Sequence, residues 1–327
     1  MGNPPPPSSE IDAPRLRVVF MGTPALAARV LESLIAAGQH DHTVVGVVTR
    51  PDQPRKRGLK LEPSEVAMLA AQHGIRTLKP VKIRTAEFLG ELRSFAPDVI
   101  VVAAYGRILP QGVLELALPL NVHASLLPRH RGAAPIEGSL LAGDTFTGVT
   151  IMRVIAQMDA GPILLQRSIP VADDETQGSL KKKLAVLGGD ALLEAFRRLR
   201  TDALAEMPQD EKAATYTVPV KKEDSVIDWR SAAVLIERMV RAYDPWPVAR
   251  TSTGGTDLLL WRARVAPPVS GATVQPGTLV ATKPVPVVGC GDGFLELLEV
   301  QAPGRRRMPA ADFLRGRQLA IGARFGT

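Results

Sequence analysis

The residues with the clearest potential for chemistry are Asn121 and His123, in a short stretch that follows an apolar run. If this stretch is an extended strand, the two side chains point to the same side of a sheet, about 6.6 Å apart along the strand. The intervening Val122 then turns into the protein. The Asn121 amide can donate a hydrogen bond to a negatively charged oxygen, and the His123 imidazole can donate or accept a proton near neutral pH. This pair suits acyl transfer, which needs an oxyanion donor and a group that moves protons.

A third candidate, Asp159, brings a carboxylate into a Gly-Pro turn that follows an apolar strand pattern at 147–152. There it could orient the His123 imidazole or take up a proton through water. Each residue also has a structural interpretation. A polar residue at a strand end often caps a loop, a single histidine is often a satisfied structural one, and an aspartate often stabilises its own turn.

Four motifs around these residues carry a family resemblance. They lie at 121–128, at 131–136 (Arg-Gly-Ala-Ala-Pro-Ile), at 148–152 and at 158–161. In order and in spacing they resemble the methionyl-tRNA formyltransferase family, and the resemblance extends from Val18 almost to the C-terminus. It implies formyl transfer from the co-substrate 10-formyltetrahydrofolate to initiator methionyl-tRNA, with Asn121, His123 and Asp159 as the catalytic residues. The wider group of formyltetrahydrofolate enzymes shares these three residues and the Ser-Leu-Leu-Pro loop, so they define only the chemistry.

Hydrophobic patterns predict the elements that would position these residues. Apolar runs typical of strands buried on both faces alternate with helical spacing. The predicted strands are at 16–21, 43–49 and 99–104, and the predicted helices are at Ala25–Ala37, 63–73, 85–95, Pro135–Ala142 and 176–200, the last interrupted by Gly188-Gly189. This alternation predicts an α/β fold with a doubly wound, mostly parallel, Rossmann-like sheet and the run 99–104 at its centre. Of the dinucleotide motif G-x-G-x-x-G only Gly22 is present, so NAD is not predicted.

The predicted folate site lies at the carboxyl ends of two strands. In open α/β sheets ligands bind outside these ends, where the strand order reverses, so the ends at Tyr105 and Asn121 should flank one crevice. The resemblance implies that the pterin lies there, and the apolar loop 125–128, closed by proline, should shape a ligand wall. The predicted folate contacts are Tyr105, Gly106, Ile108, Leu109, Ser125, Leu126, Leu127 and Pro128. For Tyr105 the alternative is core packing with a hydroxyl that reaches water.

A basic loop at 50–60 is the first candidate for RNA contact. It has five positive charges and one negative charge and is broken by Pro and Gly, a composition suited to phosphates; the alternative is an exposed charged loop. The resemblance implies that this loop inserts against the tRNA acceptor end and that Arg57 matches the family's key arginine. The predicted RNA contacts are Arg50, Arg55, Lys56, Arg57, Lys60, Arg305, Arg306 and Arg307.

The C-terminal third has a different pattern. A polar linker at 204–219 precedes a helix pattern at 231–242 and five short strand patterns separated by Gly and Pro, which predict a small β-barrel such as the OB-fold. Residues 221–327 contain fifteen Lys and Arg and ten Asp and Glu, whereas residues 1–220 contain twenty-five Lys and Arg and twenty-three Asp and Glu. This excess indicates a polyanionic partner for the smaller region, unless it serves solubility alone. The predicted organisation is a disordered leader (1–14), a catalytic domain (15–203), a linker (204–219) and an OB-like tRNA-binding domain (220–327).

Composition excludes several other classes. The single cysteine, Cys290, excludes an internal disulfide and a cysteine-cluster zinc site, and the five histidines lack His-Glu-x-x-His spacing, so no metal is predicted. The Pro-rich leader resembles neither a signal peptide nor a transit peptide, and no apolar run approaches the length of a membrane span. We therefore expect a cytoplasmic protein, with no membrane partner, that acts as a monomer.

Several other functions could use the same catalytic residues. A sugar-nucleotide formyltransferase or a formyltetrahydrofolate hydrolase module would share Asn121, His123 and Asp159, but neither explains a basic loop together with a basic C-terminal region. A glycinamide ribonucleotide formyltransferase would lack the C-terminal third. A tRNA-binding protein without catalysis would not need the three polar residues.

Overall fold

The computed structural model describes residues 15–38, 41–55, 60–269 and 275–326, without the side chains of Arg55 and Lys60. The predicted disordered leader lies outside the described residues. The helices are α1 (Ala25–Ala37), α2 (Glu65–Gln72), α3 (Ala86–Arg93), α4 (Gln111–Leu114), α5 (Pro135–Ala142), α6 (Gln177–Arg200), α7 (Ala233–Ala242) and α8 (Ala310–Arg317). The strands are β1 (Leu16–Gly22), β2 (His42–Val48), β3 (Gln53–Arg55), β4 (Lys60–Glu62), β5 (Thr77–Leu78), β6 (Val99–Ala103), β7 (Leu118–His123), β8 (Arg131–Gly132), β9 (Phe146–Arg153), β10 (Ile163–Pro170), β11 (Tyr216–Thr217), β12 (Ala249–Thr253), β13 (Thr256–Ala266), β14 (Leu279–Ala281), β15 (Val287–Gly289), β16 (Phe294–Gln301) and β17 (Met308–Pro309).

Seven of these strands form the large sheet, in the order β10-β9-β7-β6-β1-β2-β5. β1 is parallel to β2 and to β6, β2 to β5, and β6 to β7, whereas β9 runs antiparallel to β7. The chain adds β2 and β5 on one side of β1 and then β6 and β7 on the other, so the strand order reverses between β1 and β6. The predicted doubly wound, mostly parallel fold is confirmed, and β6 lies fourth of the seven strands, at the centre.

Helix boundaries follow from local capping. α1 begins after Pro24 and ends at Gly38, as predicted, and buries Leu26, Val30 and Leu34 on one face. α2 and α3 begin later than their predicted starts because Ser64 and Thr85 have extended backbones and cap the helices. Their hydroxyl oxygens accept hydrogen bonds from backbone amides at 3.0 Å and 3.2 Å.

Two local predictions were wrong. α6 runs unbroken through Gly188 and Gly189. A Cβ added at Gly189 would lie 2.4 Å from the hydroxyl oxygen of Ser33 on α1, so this glycine permits close helix packing instead of breaking the helix. The basic segment 50–60, predicted as a loop, contains the short strand β3 and the first residue of β4, and the two strands pair antiparallel with Pro54 opposite Leu61.

By their internal contacts the described residues form two compact units. The first comprises Met1–His123, Thr150–Gln166 and Ala185–Gln209, and the second comprises Ala124–Val149, Arg167–Leu184 and Asp210–Thr327. One core cluster of the first unit packs side chains from β1, β2, β6 and α3, among them Met21, Ile100 and Phe88, together with Tyr105, which follows β6. The domain boundaries drawn from the sequence remain a prediction.

The C-terminal part of the second unit is an antiparallel sheet in the order β12-β13-β16-β15-β14, with β17 beside β16. Residues near the C-terminus join the two edges of this sheet, since Phe325 bridges to Thr253 on β12 and Arg324 bridges to Thr278 next to β14. The five predicted strands are therefore present in a barrel-like arrangement. The helix α8 was not predicted, and it buries Ala310, Phe313 and Leu314.

The core of this sheet contains the single cysteine. Cys290 is fully buried, and burial raises the pKa of its thiol to about 12, so the thiolate is scarce at neutral pH. None of the helices within the described ranges is long and apolar enough to cross a membrane.

Candidate active site

Asn121 and His123 are positioned by β7, which lies between β6 and β9 in the large sheet. The strand remains extended to His123, so the two side chains share one face as the sequence predicts. Val122, between them, is buried, Asn121 is half-buried, and the His123 side chain is 6 % exposed.

Asp159 lies against both of these side chains. Asn121 Nδ2 donates to Asp159 Oδ1 over 3.4 Å, and His123 Nδ1 lies 3.7 Å from Asp159 Oδ2. One carboxylate therefore faces an amide with one oxygen and an imidazole with the other. The first distance is long for a hydrogen bond and the second exceeds the normal range. The three groups are thus close enough to act on one small molecule.

The turn that carries Asp159 has an unusual backbone. Asp159 has φ +49, in the left-handed region that non-glycine residues rarely adopt. Two residues later, a Cβ added at Gly161 would lie 1.9 Å from the Arg153 carbonyl oxygen. Only glycine fits this close approach to the end of β9, and the turn directs the Asp159 side chain toward β7.

Gln209 is a residue of this site that sequence reasoning missed. Its Nε2 donates to the carbonyl oxygens of Asp159, at 2.8 Å, and of Gly161, at 2.7 Å. The polar composition of residues 204–219 predicted a linker. A polar residue after a proline gives no indication of a partner fifty residues away.

The predicted folate contacts at the end of β6 differ in exposure. Tyr105 and Leu109 are buried in the core of the first unit, whereas the Ile108 side chain is 61 % exposed. Gly106 has φ +69, and its carbonyl accepts a hydrogen bond from Arg50 Nη2 at 2.7 Å. Burial raises the pKa of Tyr105, and the positive charges of Arg107 and Arg50 oppose this shift. Ile108 thus offers apolar surface, whereas Tyr105 and Leu109 are part of the core.

The loop after β7, part of the second unit, likewise contains both buried and partly exposed residues. Ser125 is fully buried, and its hydroxyl donates to the Arg129 carbonyl at 2.7 Å. Leu127 is also buried, whereas Leu126 and Pro128 are half-buried. Ser125 and Leu127 therefore hold the shape of the loop, and Leu126 and Pro128 retain surface for a ligand.

The arginine-rich motif that follows the loop is paired with carboxylates. Arg131 is fully buried and donates to both oxygens of Glu211, at 2.8 Å and 2.9 Å, and to Tyr216 Oη at 3.2 Å. This bonding lowers the pKa of Glu211. Arg129 and His130 both contact Asp144, each at 2.6 Å. This motif therefore stabilises the second unit through paired charges.

The predicted RNA contacts are only partly described. Lys56 and Arg57 lie outside the described residues, while Arg55 and Lys60 are described as backbone in β3 and β4. Arg305 and Arg306 are exposed, and their side chains make no hydrogen bond or ion pair with another residue in the described ranges.

Arg307 has a different environment from its two neighbours. Its guanidinium carbon lies 3.2 Å from the centroid of the Trp261 ring, as in a cation–π contact. Trp261 Nε1 donates to Gln301 Oε1 at 2.9 Å, and Gln301 Nε2 donates to the Arg305 carbonyl at 2.8 Å. These contacts hold the turn that carries Arg305 and Arg306.

Comparison with known proteins places this geometry in a family. The formyl transferase model matches residues 16–196, and the model of the formyl transferase C-terminal domain matches residues 219–318. The methionyl-tRNA formyltransferase of Methylococcus capsulatus is 45% identical over 314 residues, 95% of this chain and 100% of that protein. The methionyl-tRNA formyltransferase of Aromatoleum aromaticum is 46% identical over 313 residues, 95% of this chain and 97% of that protein.

Solved structures share the fold at lower identity. An N-formyltransferase from Helicobacter canadensis, in complex with folinic acid and dTDP-3-aminofucose, has a TM-score of 0.63 at 15% identity, covering 88% of this chain and 99% of that one. HypX from Aquifex aeolicus, in complex with tetrahydrofolic acid, has a TM-score of 0.59 at 18% identity, covering 94% of this chain and 48% of that one. The motifs, the fold and the sequence matches agree, and the chain belongs to the formyl transferase family, among the methionyl-tRNA formyltransferases.

Proposed function

We propose that this chain transfers the formyl group of 10-formyltetrahydrofolate to the α-amino group of methionine on initiator methionyl-tRNA, giving N-formylmethionyl-tRNA for translation initiation. The observation that carries the proposal is the convergence of Asn121, His123 and Asp159, with contacts of 3.4 Å and 3.7 Å, in a chain of this family. The attacking group is the substrate amine, so the protein needs no nucleophile of its own.

Asn121 is the proposed oxyanion donor. Its amide hydrogen bonds to the formyl oxygen and holds it more strongly as negative charge develops there, a contribution of about 3 kcal/mol in comparable sites. Because Asn121 lies on a central strand with buried neighbours on either side, the donor is fixed before the substrate arrives. Fixed donors avoid the cost of reorganising during the reaction.

His123 and Asp159 are the proposed proton-handling pair. The His123 imidazole stabilises the developing charge and moves a proton from the incoming amine to the departing nitrogen. Asp159, 3.7 Å from His123 Nδ1, orients the ring and carries a proton through water. Burial of His123 limits its motion, so the ring need not be reoriented during each turnover.

Apolar contacts are proposed to hold the co-substrate. Ile108 presents an exposed apolar side chain on which a flat pterin ring can lie, while Tyr105, Gly106 and Leu109 shape the loop that carries it. Leu126 and Pro128 provide further apolar surface, with Ser125 and Leu127 as their support. An apolar wall with few polar groups is typical of small-molecule sites.

A direct assay tests the function. Purified protein, 10-formyltetrahydrofolate and methionylated initiator tRNA should give formyl-methionine after deacylation of the product, and elongator methionyl-tRNA should react much more slowly. Formylation of an amino-sugar nucleotide in place of methionyl-tRNA, or hydrolysis of the formyl donor without an acceptor, would replace the proposal by another function of the same chemistry.

Basic residues in both units are proposed to contact the tRNA. In the first unit these are Arg50 and the segment from Arg55 to Lys60, and in the second they are Arg305, Arg306 and Arg307. Arg305 and Arg306 are exposed and make no side-chain bond with another described residue, so both can reach phosphates. Arg307 is proposed to act partly through its contact with Trp261.

Replacing Arg305 and Arg306 together by Ala is expected to weaken tRNA binding severalfold with little change in kcat. Two lost phosphate contacts should lower the slope of log affinity against log salt by roughly 1 to 2. Filter binding or fluorescence titration over a series of salt concentrations measures this slope. The matched control is Arg230→Ala, since Arg230 is an exposed arginine already bound to Asp228 at 2.9 Å. Equal slopes for the double variant and the wild type would exclude both arginines from the RNA interface.

We also propose that the enzyme acts as a monomer in the cytoplasm, where its tRNA substrate is aminoacylated and used. The chain contains both domains of the family, and the proposed catalytic residues all come from one copy. Light scattering of the purified protein at assay concentration measures its mass, and a dimer mass would contradict the monomer.

A further inference from the structure

We infer that Gln209 is a positioning residue for catalysis, which acts by holding the backbone turn that carries Asp159. The inference rests on the proposed role of Asp159 and extends it to a residue outside the predicted catalytic domain. Gln209 bonds the backbone of the turn itself, so its proposed effect on catalysis passes through Asp159.

The side-chain amide of Gln209 bonds to both ends of the turn. Its single Nε2 donates to the carbonyl oxygens of Asp159 and Gly161, at 2.8 Å and 2.7 Å. An NH₂ group has two hydrogens, so each can serve one carbonyl. The amide thus fixes the distance and the direction of two carbonyls on either side of Ala160, and with them the Cα–Cβ direction of Asp159.

The turn needs such support because its backbone is unfavourable. Asp159 adopts φ +49 although it has a Cβ, and L-residues avoid this region for steric reasons. Without external bonds the turn would relax toward a conformation with negative φ. That change would swing the carboxylate away from Asn121 and His123, which it now faces at 3.4 Å and 3.7 Å.

The segment that precedes Gln209 makes hydrogen bonds of its own to β9 and β10. Met207 and Ile163 exchange two backbone hydrogen bonds of 2.8 Å, and Arg153 Nη1 contacts Glu206 Oε1 at 2.9 Å. Residues 205–208 are all exposed, while Gln209 is half-buried. Apolar burial therefore does not define this segment, and the two backbone hydrogen bonds between Met207 and Ile163 place Gln209 at the turn.

The first test replaces Gln209 by Leu, which has a similar size but no donor. We expect kcat to fall about ten- to a hundred-fold, because small misplacements of a catalytic group are costly. The KM values for the formyl donor and for tRNA should stay within about two-fold, since Gln209 is proposed to act only on transition-state geometry. Gln209→Glu should have the same effect, because an ionised carboxylate would face two carbonyl oxygens without a hydrogen to donate.

The matched control is Glu206→Gln. It weakens the exposed ion pair with Arg153, at the same segment, but leaves both bonds to the turn in place. Its kcat should equal that of the wild type within about two-fold, because exposed ion pairs contribute little. Thermal melts of all variants show whether they are folded at the assay temperature. If both Gln209 variants are unfolded there, Gln209 is a stability residue and the inference fails.

A double-mutant cycle separates positioning from a general structural effect. If Gln209 acts through Asp159, then Gln209→Leu should add little to the loss caused by Asp159→Asn, whereas independent effects multiply. Multiplying losses would overturn the inference. So would a Gln209→Leu enzyme with wild-type kcat beside an inactive Asp159→Asn enzyme, although the proposed reaction would then stand. Wild-type kcat in Asp159→Asn would instead reject the role of Asp159 in the proposed function.

Discussion

Replacing Asn121 by Ala is expected to lower kcat for formyl transfer about a hundred- to a thousand-fold, the usual cost of removing an oxyanion donor. Asn121 stands on a central strand whose neighbouring residues are buried, so no other side chain of the strand can move into its place. The loss should appear in kcat more than in either KM, because the bond strengthens only as charge develops on the oxygen. Single-turnover formylation of initiator methionyl-tRNA measures the chemical step directly.

The control for Asn121→Ala is Gln111→Ala. Gln111, the first residue of α4, also has a side-chain amide, which donates to Glu115 just after that helix at 2.7 Å, and we expect its removal to leave kcat unchanged. A matched Asn121→Asp variant tests the charge, since a carboxylate cannot donate to an oxyanion and should repel it. If either Asn121 variant kept the wild-type kcat, the oxyanion donor would have to be another residue.

Replacing His123 by Gln is expected to lower kcat about a hundred- to ten-thousand-fold, the range typical of general acid–base catalysis. Gln preserves a donor near the position of the ring but cannot exchange a proton near neutral pH. The fall in kcat should therefore be larger than a loss of packing alone would cause. A thermal melt should show that the variant is folded. Steady-state formylation with both substrates saturating gives kcat.

A second buried histidine in the same unit provides the matched control. His42 donates from Nε2 to the Leu34 carbonyl at 2.9 Å and packs edge-on against Phe196, and burial lowers its pKa. His42→Gln should reduce stability and leave kcat unchanged. If His123→Gln and His42→Gln lost activity in parallel with stability, the result would falsify a catalytic role for His123.

Much of this architecture could be predicted from local patterns. The alternation of strands and helices, the central position of β6 and the shared face of Asn121 and His123 follow from hydrophobic periods of two and 3.6 residues. These periods depend on backbone geometry alone, so a short window of sequence contains them. Apolar burial then selects the side that faces the core, as Val122 shows.

Other features depended on contacts between distant residues. The pair Gly188-Gly189 predicts a helix break, yet α6 continues because Gly189 packs against Ser33 on another helix. Arg131 opens one of the family motifs, and its buried side chain bonds to Glu211, eighty residues away. Tyr105, for which core packing was the alternative to a folate contact, lies with Leu109 in the core of the first unit. In each case the partner is absent from the local window, so propensity and spacing could not identify it.

The types of the catalytic residues, and therefore the chemistry, were determined by the sequence itself, because amide, imidazole and carboxylate have fixed proton and hydrogen-bond capacities. The tertiary structure decided that these three side chains lie close together. Asn121 and Asp159 are thirty-eight residues apart, and the left-handed turn held by Gln209 brings them within 3.4 Å. The chemistry of a side chain depends on its residue type, whereas its neighbours depend on how the whole chain folds.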